Sequence, residues 1–216
     1  MKPTILLSLC FFLFALTPYL FPLAFSQDPE QVKDAYGNPL VPGRRYSIVP
    51  ALRGSRSGGV SPDKTGNQTC PLTVVQEYFE CRDGKPVIFS VSGITPGTGT
   101  ILTGTHLDIA FVEKPECADT SKWVVVGNLT DYPGAPVSIG GVEDHPGQHI
   151  LDGTFNIQKL DCGGYKLVFC SIENRCVHIR TYSKRSQMCL IASQSGTPFQ
   201  VVFIAAGGGN GVRSTV

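Results

Sequence analysis

The sequence predicts an all-β fold, and three observations carry that expectation. Past residue 26, no stretch places apolar residues at i, i+3, i+4 and i+7 without a Gly or Pro interrupting it, which removes amphipathic helices. Short runs of β-branched and aromatic residues stand there instead, several with the two-residue alternation of a half-buried strand. Turn dipeptides separate the runs: Asp83-Gly84, Pro133-Gly134, Gly140-Gly141, Pro146-Gly147 and Asp152-Gly153.

In chain order the runs are 45–49, 72–76, 86–91, 100–103, 107–112, 122–126, 137–139, 155–160, 165–169, 176–180, 188–192 and 199–204. Tyr46 and Ile48 share a face of the first run. Phe155, Ile157 and Lys159 share one in the eighth, and Leu167 with Phe169 in the ninth. Twelve short strands suit a sandwich or a closed barrel. The count suggests a β-trefoil, three repeats of four strands, but a twelve-strand sandwich stays open, because the residues show no convincing repeat. Gly207-Gly208-Gly209-Asn210-Gly211 follows the last run and reads as the start of a flexible tail over 207–216. It lacks the helix and the Lys-Ser/Thr pair of a phosphate loop.

Composition excludes several classes. Eighteen Lys+Arg balance 17 Asp+Glu in 216 residues, which removes the usual basic nucleic-acid binder. An apolar fraction of 42% removes wholesale disorder. The 24 glycines have no period of three, so the chain is not collagen-like.

Residues 1–26 read as a secretory signal peptide. Lys2 is the only charge before Asp28, an apolar run follows, and Ala24 and Ser26 stand three and one before a cut at Gln27. No later run reaches the roughly 18 apolar residues of a spanning helix, so no membrane contact is expected after signal removal. Residues 27–206 then form one domain of a protein that is secreted, extracellular or vacuolar, and a monomer.

In an oxidising compartment the seven cysteines after Cys10 are disulfide candidates before they are metal ligands. No Cys-x-x-Cys pair or zinc-finger spacing occurs, so neither a metal nor a cofactor is expected. An odd count leaves at least one thiol free or shared between chains. Asn67-Gln68-Thr69 and Asn128-Leu129-Thr130 are glycosylation sequons, expected at the surface. His106, His145, His149 and His178 stand in no catalytic motif, and Pro146-Gly147 prevents a helical zinc pair between His145 and His149. No enzyme is expected.

The stretch Val32-Lys33-Asp34-Ala35-Tyr36-Gly37-Asn38-Pro39-Leu40, followed by Tyr46-Ser47-Ile48, resembles the N-terminal signature of the plant Kunitz-type inhibitors, the soybean trypsin inhibitor family. Four further stretches agree in family order: Cys70-Pro71-Leu72-Thr73-Val74-Val75-Gln76, Lys122-Trp123-Val124-Val125, Tyr165-Lys166-Leu167-Val168-Phe169-Cys170 and Pro198-Phe199-Gln200-Val201-Val202-Phe203. The resemblance implies a β-trefoil, secretion and protease inhibition. It also implies a disulfide between Cys70 and Cys117 and a second beginning at Cys170, for which Cys176 is the nearest partner. Cys81, Cys162 and Cys189 receive no partner, and Cys189 sits in an apolar run as a small buried residue would.

The family's inhibitory loop lies about two dozen residues after the first of these cysteines. Here that is 91–97, with Gly93, Ile94, Thr95 and Pro96 at its centre and Ile94 at the pocket-filling position. No Lys or Arg occurs from Pro86 to Glu113, so the loop is not suited to trypsin, whose pocket carboxylate would lose its partner. A protease with an apolar or small pocket is the expected partner. Family members often support the loop with an asparagine, and Pro42 holds the matching position. Gly93, Gly97 and Gly99 are expected to loosen the segment. Lys184 and Arg185, at what reads as a hairpin tip, are a second candidate, and the basic segment 53–59 a weaker one. The alternative is a non-inhibitory relative: a storage, miraculin-like or small-ligand-binding defence protein.

Overall fold

The computed structural model describes residues 28–52, 54 and 57–207. The signal peptide over 1–26, the cut before Gln27 and the tail beyond Gly207 lie outside the described residues, as do Arg53, Ser55 and Arg56 of the basic segment.

Thirteen strands occur among the described residues. They are β1 (Arg45–Pro50), β2 (Val60–Asp63), β3 (Thr73–Gln76), β4 (Val87–Ser90), β5 (Asp108–Phe111), β6 (Trp123–Val126) and β7 (Ala135–Ile139). Then follow β8 (Ile150–Leu151), β9 (Gly153–Lys159), β10 (Tyr165–Ser171), β11 (Cys176–Lys184), β12 (Gln187–Ser193) and β13 (Gln200–Ala205). One short 3-10 turn, Val142–Asp144, joins β7 to β8.

Six strands close a ring. β1 pairs with β4, β4 with β5, and the bridge between Leu107 and Phe155 joins the start of β5 to β9. β9 then pairs with β10, β10 with β13, and β13 returns to β1. Three hairpins cap the ring: β2–β3, β6–β7 and β11–β12. Their inner strands β3, β7 and β12 all pair with one another. One ring strand, two cap strands and one ring strand therefore recur three times along the chain. That is a β-trefoil, with the two-residue β8 as an addition. Closure of the ring leaves those strands no free edge.

The pairing corrects the strand list. Residues 100–103, expected as a strand, form none: Leu102 makes one bridge to Gln31, and the Ile101 amide donates to the Leu40 carbonyl at 2.8 Å. The segment lies along the N-terminal stretch. β2 was not expected, because Val60-Ser61-Pro62-Asp63 has no apolar run, and only its four-residue register with β3 makes it a strand.

Two chains of aromatic rings fill the interior. Tyr46, Phe89, Phe203 and Tyr165 follow one another at centroid distances of 6.0, 5.5 and 5.6 Å. Phe111, Trp123, Phe155 and Phe169 follow at 5.6, 6.1 and 5.3 Å. Edge and tilted contacts of this kind add to the burial of each ring. The three cap hairpins send Val74, Val137 and Leu190 into the same core, all fully buried.

Two disulfides are formed. Cys70 bonds to Cys117, tying the entry to β3 to the loop after β5. In the chain-entropy model a loop of that length stabilises by about 4 kcal/mol. Cys170 bonds to Cys176 across the β10–β11 hairpin, where the two are register partners. That short loop contributes about 2 kcal/mol. Cys81 and Cys162 are free and exposed. Cys189 is free and buried, and burial pushes its thiol pKa up.

Phe155 sits where the ring closes, touching both Trp123 and Phe169. Phe155→Ala is expected to lower unfolding stability by about 3–5 kcal/mol in urea titration. A loss under about 1 kcal/mol would mean that ring closure does not depend on this side chain.

Candidate functional site

The segment 91–100 leaves β4 and returns to the barrel at Ile101, whose side chain is fully buried. Two turns shape it. The Ile94 amide donates to the Val91 carbonyl at 3.2 Å, and Gly93 holds φ +78° inside that turn. The Thr98 amide donates to the Thr95 carbonyl at 3.1 Å, with Pro96 and Gly97 (φ +84°) at the turn's two central positions. Pro followed by a left-handed Gly is the signature of a type II turn. The Thr98 hydroxyl donates to the same carbonyl at 2.7 Å. The glycines expected to loosen the loop therefore define its shape.

Ile94 and Thr95 stand between the two turns. Thr95 and Pro96 are exposed, as is Gly93, while Ile94 is half-buried. Its Cγ2 lies 3.5 Å from where a Cβ on Gly99 would stand, so the side chain leans back across the loop. Pro42 is buried and supports the loop by its backbone: its carbonyl accepts from the Gly97 amide at 2.7 Å.

Lys184 and Arg185 lie at the tip of the β11–β12 hairpin, where Lys184 pairs with Gln187. The two turn residues, Arg185 and Ser186, both have positive φ, +47° and +73°. A primed two-residue turn requires this, but a protease substrate must be extended at the bond to be cut. The tip is exposed and basic without having a substrate's backbone shape.

Asn67 and Asn128 are both exposed. The Asn128 side-chain oxygen accepts from the Thr130 amide at 3.1 Å and hydroxyl at 3.0 Å.

The histidines do not gather. His145 is buried and donates from Nε2 to the Ile139 carbonyl at 2.9 Å. His106 Nδ1 pairs with the Thr154 hydroxyl at 2.7 Å. Burial, and then the charge of Lys166, hold His178 below the usual histidine range. Among the described residues no group of three His, Cys, Asp or Glu is placed to hold a metal ion.

With the trefoil and its loops in view, comparison with known proteins gives a consistent result. The family model for legume Kunitz inhibitors, described as trypsin and protease inhibitor, matches residues 32–205. The chain belongs to the legume Kunitz inhibitor family. A Kunitz-type trypsin inhibitor-like protein of Pisum sativum is 44% identical over 210 residues, covering 95% of this chain and 94% of that protein. The subtilisin inhibitor CLSI-II of Canavalia lineata is 43% identical over 182 residues, covering 83% of this chain and 94% of that one. The crystal structure of a Kunitz-type trypsin inhibitor from Cicer arietinum superposes with a TM-score of 0.75 at 45% identity, over 82% of this chain and 99% of that one. That family is one of serine protease inhibitors and not of enzymes.

The left-handed tip could not be read from residue types, because neither Arg185 nor Ser186 is a favoured residue there. The double variant Arg185→Asn, Ser186→Gly is expected to raise stability by about 1 kcal/mol, the relief of left-handed strain less the entropy cost of the added Gly. An unchanged urea midpoint would show that the tip carries no strain.

Proposed function

We propose that the chain inhibits a serine protease through the loop 92–97, with Ile94 in the specificity pocket of an elastase- or subtilisin-like enzyme. The observation that carries this is the pair of turns that brackets the Ile94–Thr95 bond. A loop already held in shape loses little entropy when a protease docks, so binding is favoured over cutting. The absence of Lys and Arg between Pro86 and Glu113 sets the preference, because an uncharged side chain leaves the trypsin pocket carboxylate unpaired. The likeness to a subtilisin inhibitor of Canavalia lineata supports the same reading. The Lys184–Arg185 tip is ranked second, on its left-handed backbone.

The protein acts after secretion, to the cell exterior or the vacuole, as a monomer starting at Gln27 and glycosylated at Asn67, Asn128 or both. The sequence of residues 1–26 supports the secretion and the cut, and the exposure of both asparagines supports the glycosylation. For protein isolated from its natural tissue, a terminus at Gln27 and a mass that falls on glycosidase treatment are the expected results. A retained leader or an unchanged mass would refute the respective point.

Titration of the folded protein against trypsin, chymotrypsin, elastase, subtilisin and papain tests the inhibition. Stoichiometric inhibition of elastase or subtilisin, lost on replacing 92–97, is expected. No inhibition of any serine protease would instead favour a storage, miraculin-like or ligand-binding role. Ile94→Arg is expected to strengthen trypsin binding about 30- to 4,000-fold, the worth of restoring a buried charge pair at roughly 2–5 kcal/mol. Trypsin inhibition by the unaltered chain that survives loop replacement but vanishes in the double variant Lys184→Ala, Arg185→Ala would move the site to the tip.

A further inference from the structure

We infer that Gly43 is the positioning residue of the loop 92–97: its missing side chain is the seat on which Pro96 rests. The inference builds on the loop reading above and names what holds that loop from behind.

The segment 40–43 meets the loop at three points. The Gly43 amide donates to the Phe89 carbonyl in β4 at 2.9 Å, just before the loop begins. The Pro42 carbonyl accepts from the Gly97 amide at 2.7 Å, at the loop's second turn. The Leu40 carbonyl accepts from the Ile101 amide at 2.8 Å, where the loop re-enters the core. Leu40, Pro42 and Gly43 thus hold the start, middle and end of the loop by backbone alone.

Gly43 sits at φ +79°, so the backbone there already favours glycine. Space is the stronger constraint. A Cβ on Gly43 would lie 2.6 Å from Pro96 Cβ, 3.0 Å from Pro96 Cα and 3.4 Å from the Gly97 nitrogen. Those atoms are a rigid ring root and backbone, so relief requires the loop itself to move. The loop's own Gly93 and Gly97 have nothing within 4 Å of a added Cβ, so their requirement is conformational only. Among the described glycines, Gly43 alone couples an absent side chain to the position of the exposed turn. A shift of about 1 Å at a docking loop is enough to cost about 100-fold in a geometry-dependent step.

Gly147 supplies the control. It also has positive φ, +72°, nothing lies within 4 Å of its missing Cβ, and it belongs to neither the loop nor the N-terminal stretch. Gly147→Ala carries the backbone strain without the push. The full mature chain with its disulfides intact is prepared as wild type, Gly147→Ala and Gly43→Ala. Each is read by amide exchange at Gly97, by inhibition of whichever enzyme the protease panel identifies, and by the rate of cleavage within 92–97. Gly43→Ala is expected to speed Gly97 exchange, weaken inhibition about 10- to 100-fold and turn the loop into a substrate, while Gly147→Ala does none of these. Should Gly43→Ala not fold, it is combined with Pro96→Gly, which removes the 2.6 Å contact and leaves the 3.0 Å one to the Cα. That double variant is expected to fold, with Gly97 exchanging nearly as slowly as in Pro96→Gly alone. Equal loss in Gly147→Ala, unchanged Gly97 exchange in Gly43→Ala, or a double variant that does not fold overturns the assignment. If the wild type inhibits no protease, the functional reading fails, yet the exchange comparison still decides the role of Gly43.

Discussion

The N-terminal stretch before β1 belongs to no strand, and the candidate loop depends on where that stretch is held. Two tyrosine hydroxyls hold it. Tyr165 accepts the Lys33 amide at 2.9 Å, and Tyr46 accepts the Val41 amide at 2.9 Å. These two rings are the ends of one aromatic chain in the core, linked through Phe89 and Phe203. Between them the Asp34 carboxylate accepts the amides of Tyr36 and Asn38 at 2.9 and 2.8 Å, and the Leu40 amide donates to the Val32 carbonyl at 2.8 Å. The order of dependence runs from packed rings to their hydroxyls, then to the N-terminal stretch, then to the loop. Each hydroxyl bond is worth about 1 kcal/mol, but each also satisfies a backbone amide in a stretch with little sheet of its own.

Ion pairs add little to that arrangement. Lys159 meets Glu30 at 2.5 Å, and the hydrogen bond to that carboxylate raises the lysine pKa. Both side chains are exposed, so the pair guides the segment around Glu30 over β9 without anchoring it. The same holds for Lys122 with Asp108 and Lys85 with Glu113. Stability rests on the closed ring, its aromatic filling and the two disulfides. Loops that leave the ring are then free to vary without opening a sheet edge.

Strands β9 and β10 were legible because Phe155 and Ile157, and Leu167 and Phe169, alternate along one face, although Asn156 and Val168 on the opposite faces are buried as well. β2 was not legible, because Ser61 and Pro62 owe their strand geometry to β3 alone. Residues 100–103 misled for the converse reason. Ile101 is apolar and fully buried, yet it packs from a connecting segment whose partner is the N-terminal stretch. The position of the loop came from the family resemblance and not from composition. Its glycines suggested looseness, since residue type alone does not tell a flexible glycine from one that a turn requires. Gly43 gave no signal at all: nothing in the sequence says that Pro96 will stand against it.

A trefoil that offers several loops does not by itself choose one as an inhibitor. What separates the two exposed candidates is backbone shape rather than charge. The hairpin tip has the basic side chains that a trypsin pocket would take, but its two central residues are left-handed. The loop 92–97 lacks a basic residue, but its turns leave Ile94 and Thr95 outside the left-handed region and its middle is bonded to Pro42. A side chain can swing to suit a pocket at a cost of about one rotamer change. A backbone in the wrong region cannot follow without breaking the turn that made it. Ile94 therefore needs only to lift from Gly99 to present itself, whereas Arg185 would have to undo the end of its hairpin. That difference places the loop first even though it carries the less obvious residue.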